Sequence, residues 1–100
     1  MKTTINNALV KSWYTLLEEA IKNTKHQEHK QLRYCQATVA ETEYFYILWS
    51  YNTPIAAINK ATGVCIDFLR LVYGYTATSA QHIAKFCSDY NATEIVRYKD

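Results

Sequence analysis

The spacing of apolar residues changes twice along this chain, and these changes constrain the fold more than any other feature. Residues 4–22 carry apolar side chains at steps of three and four, the period of an α-helix with one buried face. From Leu32 the period becomes two, as in strands, and helical spacing returns after Thr78. The sequence therefore predicts a helix, a run of strands and a second helix.

Composition agrees with a single folded domain over residues 1–100. Apolar residues make up 49% of the chain and charged residues 20%, which excludes intrinsic disorder. Only two glycines and one proline are present, so long regular elements are favoured over a loop-rich scaffold.

The first predicted helix covers residues 4–22, with Thr3 or Thr4 as its N-cap and Asn23 at its end. Trp13 is the largest group of its apolar stripe and is expected to anchor the helix to a sheet. The stripe comprises Ile5, Ala8, Leu9, Trp13, Leu16, Leu17, Ala20 and Ile21.

Strands are predicted for residues 34–40, 44–50, 55–58 and 64–73, because these segments are rich in alternating, branched and aromatic residues. In the first segment, Cys35, Ala37 and Val39 share a face. Segment 44–50 is the strongest: Phe45, Ile47 and Trp49 are assigned to the core, and Tyr44, Tyr46 and Leu48 to a half-exposed or functional face.

The predicted turns and caps follow from Gly, Pro and Asn positions. Pro54 fits a strand start or an edge, and residues 59–63 form a hairpin loop in which Gly63 supplies a positive φ. Within 64–73, Asp67 and Arg70 have opposite parity, which requires a bulge or a partly buried face.

The second predicted helix follows Gly74. Thr78 and Gln81 form a capping box, and Asn91 ends the helix in a left-handed conformation. Its apolar positions are Ile83, Phe86, Cys87 and Tyr90, and residues 95–98 form a short strand or a docked tail. The predicted fold is α+β, with an antiparallel sheet of three to five strands and both helices on one face.

Charge and cysteine content narrow the function. The net charge of +2 is too small to imply a nucleic-acid or membrane partner by itself. A basic patch is nevertheless predicted; it is either a solvated helix end and loop or a phosphate-binding or acidic-surface contact. The patch consists of Lys22, Lys25, Lys30 and Arg33.

No constellation with the spacing of a catalytic or metal site is present in the sequence. Three widely spaced cysteines fit reduced thiols in the cytoplasm, and no apolar stretch suggests a secretory signal or a membrane span. His26 and His29 have helical ligand spacing but lack a third ligand. We therefore expect no cofactor, no metal and no enzymatic activity.

Nine tyrosines favour a binding surface, because tyrosine combines a large contact area with a polar tip. The candidate binding residues are Tyr44, Tyr46, Tyr73, Tyr75 and His82. His82 has two interpretations: it contacts an anion or a partner near the helix start, or it hydrogen-bonds to the turn at Tyr51 or Thr53 and locks two stretches together.

Two stretches resemble a family of small, uncharacterised proteins from bacteriophages and related mobile elements. One is Trp49-Ser-Tyr-Asn-Thr-Pro-Ile55, and the other is Tyr75-Thr-Ala-Thr-Ser-Ala-Gln-His82-Ile followed by Phe86. Thr76 and Ser79 depart from the family pattern, although both keep a hydroxyl. The resemblance covers roughly residues 44–90 and implies a phage or prophage accessory protein that acts in the host cytoplasm.

The leading hypothesis is a phage-encoded inhibitor of a host defence system, resembling an anti-CRISPR protein. It would occupy a surface of a host protein or ribonucleoprotein as a monomer or homodimer, without membrane association. One alternative is a small nucleic-acid-binding regulator that uses the basic patch. Another is a protein that sequesters a nucleotide signal.

Overall fold

A computed structural model describes residues 2–23, 29–33 and 36–99, and over these residues the chain forms a seven-stranded mixed sheet with three helices. Lys25, His26 and Cys35 lie outside the described residues. The elements in chain order are β1 (Lys2–Ile5), α1 (Asn7–Asn23), β2 (Lys30–Gln31), β3 (Ala37–Glu41), β4 (Phe45–Ser50), β5 (Thr53–Asn59), β6 (Val64–Asp67), α2 (Leu69–Val72), α3 (Ala77–Asp89) and β7 (Glu94–Arg97).

The strand order is β1-β7-β6-β5-β4-β3-β2. Strands β2 to β6 pair antiparallel in succession, as their short connections require, whereas β7 runs parallel to both β6 and β1. The α+β class is confirmed, but the predicted sheet of three to five antiparallel strands is wrong. Helix α3 connects β6 to β7 and returns the chain to the end of the sheet where β6 begins. Strand β7 therefore runs parallel to β6, which makes the sheet mixed.

The two long helices lie on opposite faces of the sheet, not on one face as the sequence suggested. Val10, Leu17 and Ile21 of α1 pack in one buried cluster, and Ile83 and Phe86 of α3 pack in another. The reason is visible in β4: Ile47 and Trp49 belong to the α1 cluster, while Leu48 belongs to the α3 cluster. Both faces of this strand are apolar, so both need a cover.

The alternation predicted for segment 44–50 is therefore confirmed, and its second face is partly covered by α3. Tyr46 is half-buried and packs on the α3 side against Tyr90, with ring centroids 4.7 Å apart. Tyr44 precedes the strand and is exposed. Because β4 and β6 are interior strands, neither offers the free sheet edge that would invite dimerisation.

Helix α1 begins later than predicted. Asn6 is its cap, since the Asn6 side-chain oxygen accepts from the backbone N–H of Leu9 at 3.0 Å. Thr3 and Thr4 lie in the edge strand β1, and Ile5 is exposed there. Ile5 fits the helical spacing of the following residues, so the sequence predicted a helix where β1 forms. Strand β1 is paired with β7, which lies at the far end of the chain.

Segment 64–73 is a strand only to Asp67. The Asp67 carboxylate accepts from the backbone N–H of Leu69 at 3.1 Å and from Arg97 at 2.9 Å. The first contact turns the chain into the short helix α2, because an aspartate that binds the backbone two residues on favours a turn. Arg70 therefore lies on a helix, and no bulge is needed to accommodate it.

Helix α3 begins at Ala77, two residues before the predicted start. Its N-cap is Thr76, whose hydroxyl accepts from the backbone N–H of Ser79 at 3.1 Å. The left-handed end at Asn91 is confirmed by its φ of 56°. The positive φ predicted at Gly63 is also confirmed, at 77°.

The buried thiols of Cys65 and Cys87 are small core residues of the α3 cluster. The Cys65 thiol donates a hydrogen bond to Cys87, and this bond together with burial raises the pKa of Cys65 well above its ordinary value. Among the described residues no helix is long and apolar enough to cross a membrane.

Candidate binding pocket

Two segments far apart in sequence meet at one end of the sheet and enclose a cavity of about 360 Å³. The first is the turn between β4 and β5, and the second leads from α2 into the first turn of α3. We call this cavity the hydroxyl pocket, because most of its lining groups carry a hydroxyl. Its lining consists of Ser50, Tyr51, Asn52, Thr53, Ile55, Tyr73, Thr76, Thr78 and Ser79.

A buried polar network lies beside this pocket. The Ser50 hydroxyl is 2.8 Å from Nδ1 of His82 and 3.0 Å from the Ser79 hydroxyl. The exposed fractions are 3%, 5% and 3% for Ser50, Ser79 and His82 respectively. Such groups are costly to bury unless they are hydrogen-bonded, and here each of them has a partner.

Burial and the nearby Lys85 ammonium lower the pKa of His82 below its ordinary value. The ring is therefore neutral at pH 7, so one of its two nitrogens carries no proton and can accept a hydrogen bond. When Nδ1 is that nitrogen, Ser50 donates to His82 and accepts from Ser79. The three side chains then form one directed chain of hydrogen bonds that links β4 to α3.

This geometry supports the structural interpretation of His82 and corrects its partner. His82 does lock the two stretches together, but it bonds to Ser50, the residue before the turn, and not to Tyr51 or Thr53. The Tyr51 ring lies beside the His82 ring, with centroids 6.0 Å apart. Tyr51 therefore covers the outer side of the buried network.

Tyr51 has a φ of 56°, which places a large aromatic residue in the left-handed region. The turn between the paired residues Ser50 and Thr53 has only two residues, and such turns favour glycine, asparagine or aspartate at a positive φ. The left-handed conformation costs a residue with a Cβ roughly 1–2 kcal/mol. The conformation is fixed in part by the Tyr51 backbone N–H, which donates to the Gln36 carbonyl at 2.8 Å.

The structure separates the five binding candidates into two groups. Tyr73 lines the hydroxyl pocket, His82 lies behind it, and Tyr75 is the residue immediately before Thr76. Tyr44 and Tyr46 lie toward the other end of β4, about 20 Å and about 13 Å from Ser50 along the strand. The five residues cannot therefore form one compact contact surface.

The rim of the hydroxyl pocket is aromatic and exposed. Tyr51, Tyr73 and Tyr75 have exposed fractions of 59%, 66% and 57%. The guanidinium of Arg70 lies over the Tyr75 ring, 4.7 Å from its centroid. Sequence reasoning missed Tyr51, Ser50 and Ser79; the available signal was a tyrosine in a two-residue turn, where a small polar residue is usual.

The predicted basic patch is dispersed among different elements in the described part of the chain. Lys22 is in the last turn of α1, and Lys30 is in β2. Arg33 donates to both carboxylate oxygens of Asp89, at 2.9 and 2.6 Å, and this guanidinium holds the pKa of Asp89 below its ordinary value. The remaining member, Lys25, is outside the described residues, so a role for the patch stays a prediction.

A serine hydroxyl that contacts a histidine is also the first requirement of a nucleophilic site. Such a site further needs a group that orients the histidine, and within the described residues no hydrogen bond joins His82 to a carboxylate. The described residues also contain no group of three or more His, Cys, Asp or Glu side chains that could hold a metal.

Comparison with known proteins places residues 7–100 in DUF8033, a family of unknown function, and the chain belongs to this family. No curated protein and no solved structure matches the chain.

Proposed function

We propose that this member of the DUF8033 family is a binding protein whose recognition site is the hydroxyl pocket. The observation that carries the proposal is the strained Tyr51, held over a buried network of Ser50, Ser79 and His82. Residues in costly backbone conformations concentrate at functional sites, where the surrounding structure maintains them.

The buried network supports the proposal because stability alone does not require it. Apolar side chains of similar volume would fill the space between β4 and α3 without the cost of desolvating three polar groups. The network lies beside a pocket that opens to solvent, so it presents polar atoms where a ligand can reach the cavity. A polar cluster beside an open cavity is typical of a binding site.

The tyrosine rim supports the same conclusion. Tyr51 and Tyr73 expose more than half of their surface around one cavity, and Tyr75 does so next to it. Tyrosine is enriched in binding energy hot spots because its ring buries a large area while its hydroxyl satisfies a hydrogen bond. The rim therefore supplies the contact area, and the hydroxyls behind it supply specificity.

The specific form of the proposal is a phage-encoded inhibitor of a host defence system, which acts in the host cytoplasm without chemistry of its own. It would occupy the surface of a host protein or ribonucleoprotein through the tyrosine rim. The resemblance of residues 49–55 and 75–86 to phage accessory proteins supports this form, and both stretches contribute to the pocket.

The test is affinity capture from host lysate with matched tyrosine variants. Tyr73→Ala removes a rim residue, whereas Tyr44→Ala removes an equally exposed tyrosine at the opposite end of β4. We expect Tyr73→Ala to lose the captured partner and Tyr44→Ala to retain it. Capture that survives Tyr73→Ala and Tyr51→Gly but is lost with Tyr44→Ala would place the site elsewhere and refute the proposal.

A further inference from the structure

The lining of the hydroxyl pocket is uncharged, although charged residues make up 20% of the chain. It contains hydroxyls from serine, threonine and tyrosine and the side-chain amide of Asn52, and no Lys, Arg, Asp or Glu side chain lines it within the described residues. Hydroxyl and amide groups both donate and accept hydrogen bonds. Such a lining is complementary to an uncharged group that presents donors and acceptors together.

The rim is suited to a flat group. Tyr51 and Tyr73 both line the pocket and both have exposed rings. Aromatic side chains at the mouth of a polar cavity bind planar rings by stacking, and protein sites for unpaired bases combine such stacking with hydrogen bonds to the base edges. The cavity of about 360 Å³ is near the small end of the ~300–1,000 Å³ range of small-molecule sites.

Arg70 lines a second cavity together with Tyr75, Asp67 and Arg97, and Tyr75 connects this cavity to the hydroxyl pocket along the chain. Arg70 stacks on Tyr75, which is followed directly by the pocket residue Thr76. Among the described residues Arg70 makes no ion pair, whereas Arg97 and Arg33 are both paired with aspartates. A guanidinium in this position is available to a phosphate.

On this basis, and resting on the proposed function of the pocket, we infer that the ligand is a nucleobase, with its attached phosphate directed toward Arg70. The base occupies the uncharged cavity, stacks on Tyr51 or Tyr73, and exchanges hydrogen bonds with Asn52 and the hydroxyls. The base belongs either to a free nucleotide or to an unpaired position in a nucleic acid.

The first experiment measures thermal unfolding of the full chain with nucleosides, nucleoside monophosphates, a four-nucleotide single-stranded RNA and ribose 5-phosphate. Each ligand is tested up to about 10 mM. At a concentration ten times the Kd, the base-containing ligand should raise Tm by roughly 5–10 °C, and ribose 5-phosphate should not. A tighter affinity for RNA that falls with salt identifies a nucleic acid as the source, and equal affinity for mononucleotides identifies a free nucleotide.

Variants then assign the contacts by calorimetric titration. Tyr73→Ala should weaken binding by about tenfold or more through lost stacking. Arg70→Gln should weaken the nucleoside monophosphate and leave the nucleoside unchanged, because only the monophosphate carries the phosphate. Tyr44→Ala is the matched control and should bind as the wild type does. All three positions are at least partly exposed, so the variants are expected to fold.

The inference is overturned if no base-containing ligand raises Tm, if ribose 5-phosphate raises it equally, or if Tyr73→Ala binds bases normally. Its failure is distinguishable from failure of the proposed function. A lysate partner that depends on Tyr73, resists nuclease treatment and is unaffected by nucleosides would retain the pocket as a binding site and exclude the nucleobase.

Discussion

Tyr51 offers a direct test of the claim that backbone strain is maintained at the binding pocket. Replacing it by alanine and, separately, by glycine removes the ring in both variants, so the difference between the two variants isolates the backbone. At a φ of 56° the Cβ of alanine lies too close to the following carbonyl oxygen, which destabilises the folded state by roughly 1–2 kcal/mol. Glycine has no Cβ and avoids this clash. Glycine loses about 0.4–1 kcal/mol of this advantage, because its unfolded chain is more flexible.

Taken from the middle of these two ranges, the net expectation is that Tyr51→Gly is more stable than Tyr51→Ala by about 0.8 kcal/mol. For a domain of this size, this difference corresponds to a Tm higher by roughly 3–6 °C. The assay is urea unfolding at equilibrium, followed by circular dichroism and checked by a thermal scan. Both variants should lose the captured partner, because both lack the tyrosine ring.

The neighbouring Asn52 provides the control. It lies in the same turn but is not among the described residues with positive φ, so alanine there should be more stable than glycine by about 0.4–1 kcal/mol. The sign of the Ala–Gly difference should therefore reverse between positions 51 and 52. Equal or greater stability of Tyr51→Ala relative to Tyr51→Gly would refute the strain argument.

Three further predictions concern the buried network, a turn and the core. Because the folded state lowers the pKa of His82, the unfolded state binds more protons as pH falls below about 6.5, and the free energy of unfolding should fall there. Urea unfolding at about pH 7.5 and 5.5 should show a smaller loss of this free energy in His82→Gln than in the wild type. Gly63→Ala should lower the free energy of unfolding more than Gly74→Ala does. Both glycines have a positive φ, but only at Gly63 would an added Cβ meet a neighbouring side chain, Cγ2 of Thr93 at 3.0 Å. Equal urea midpoints for these two alanine variants would contradict the steric argument. Phe86→Ala should lower the free energy of unfolding by about 3–5 kcal/mol because its ring is fully buried, whereas Leu16→Ala, at an exposed position, should change it by no more than about 0.5 kcal/mol. Similar denaturation midpoints for these two variants would argue against the burial of α3.

Local features of the fold could be predicted from the sequence when neighbouring residues decide them. The alternation in β4 follows from side-chain geometry along one element and is observed. The stripe predicted for α1 is only partly right: Leu17 and Ile21 are buried, but Leu9 and Leu16 are exposed, and Val10, outside the predicted stripe, is fully buried. The left-handed positions at Gly63 and Asn91 follow from the small cost of that conformation for glycine and asparagine. Helix starts were less predictable, since Asn6 and Thr76 compete with other capping residues nearby.

The candidate site was only partly predictable. Tyr73 was predicted because the chain is rich in tyrosine, and His82 because packing and capping gave it no role. Ser50 and Ser79 resemble ordinary serines in the sequence, and only the 3.0 Å contact between their hydroxyls beside His82 places them in the candidate site. Tyr44 shared its residue type with the pocket tyrosines, but its place before β4 separates it from them.

The sequence by itself determined the approximate positions of α1, α3 and the strands β3 to β6, because each of these elements depends on a period repeated over a few residues. Tertiary structure decided the rest. The edge strand β1 exists because β7 is available to pair with it, and the helices lie on opposite faces because both faces of β4 are apolar. The hydroxyl pocket arises where the β4–β5 turn meets the start of α3, a proximity that no local pattern encodes.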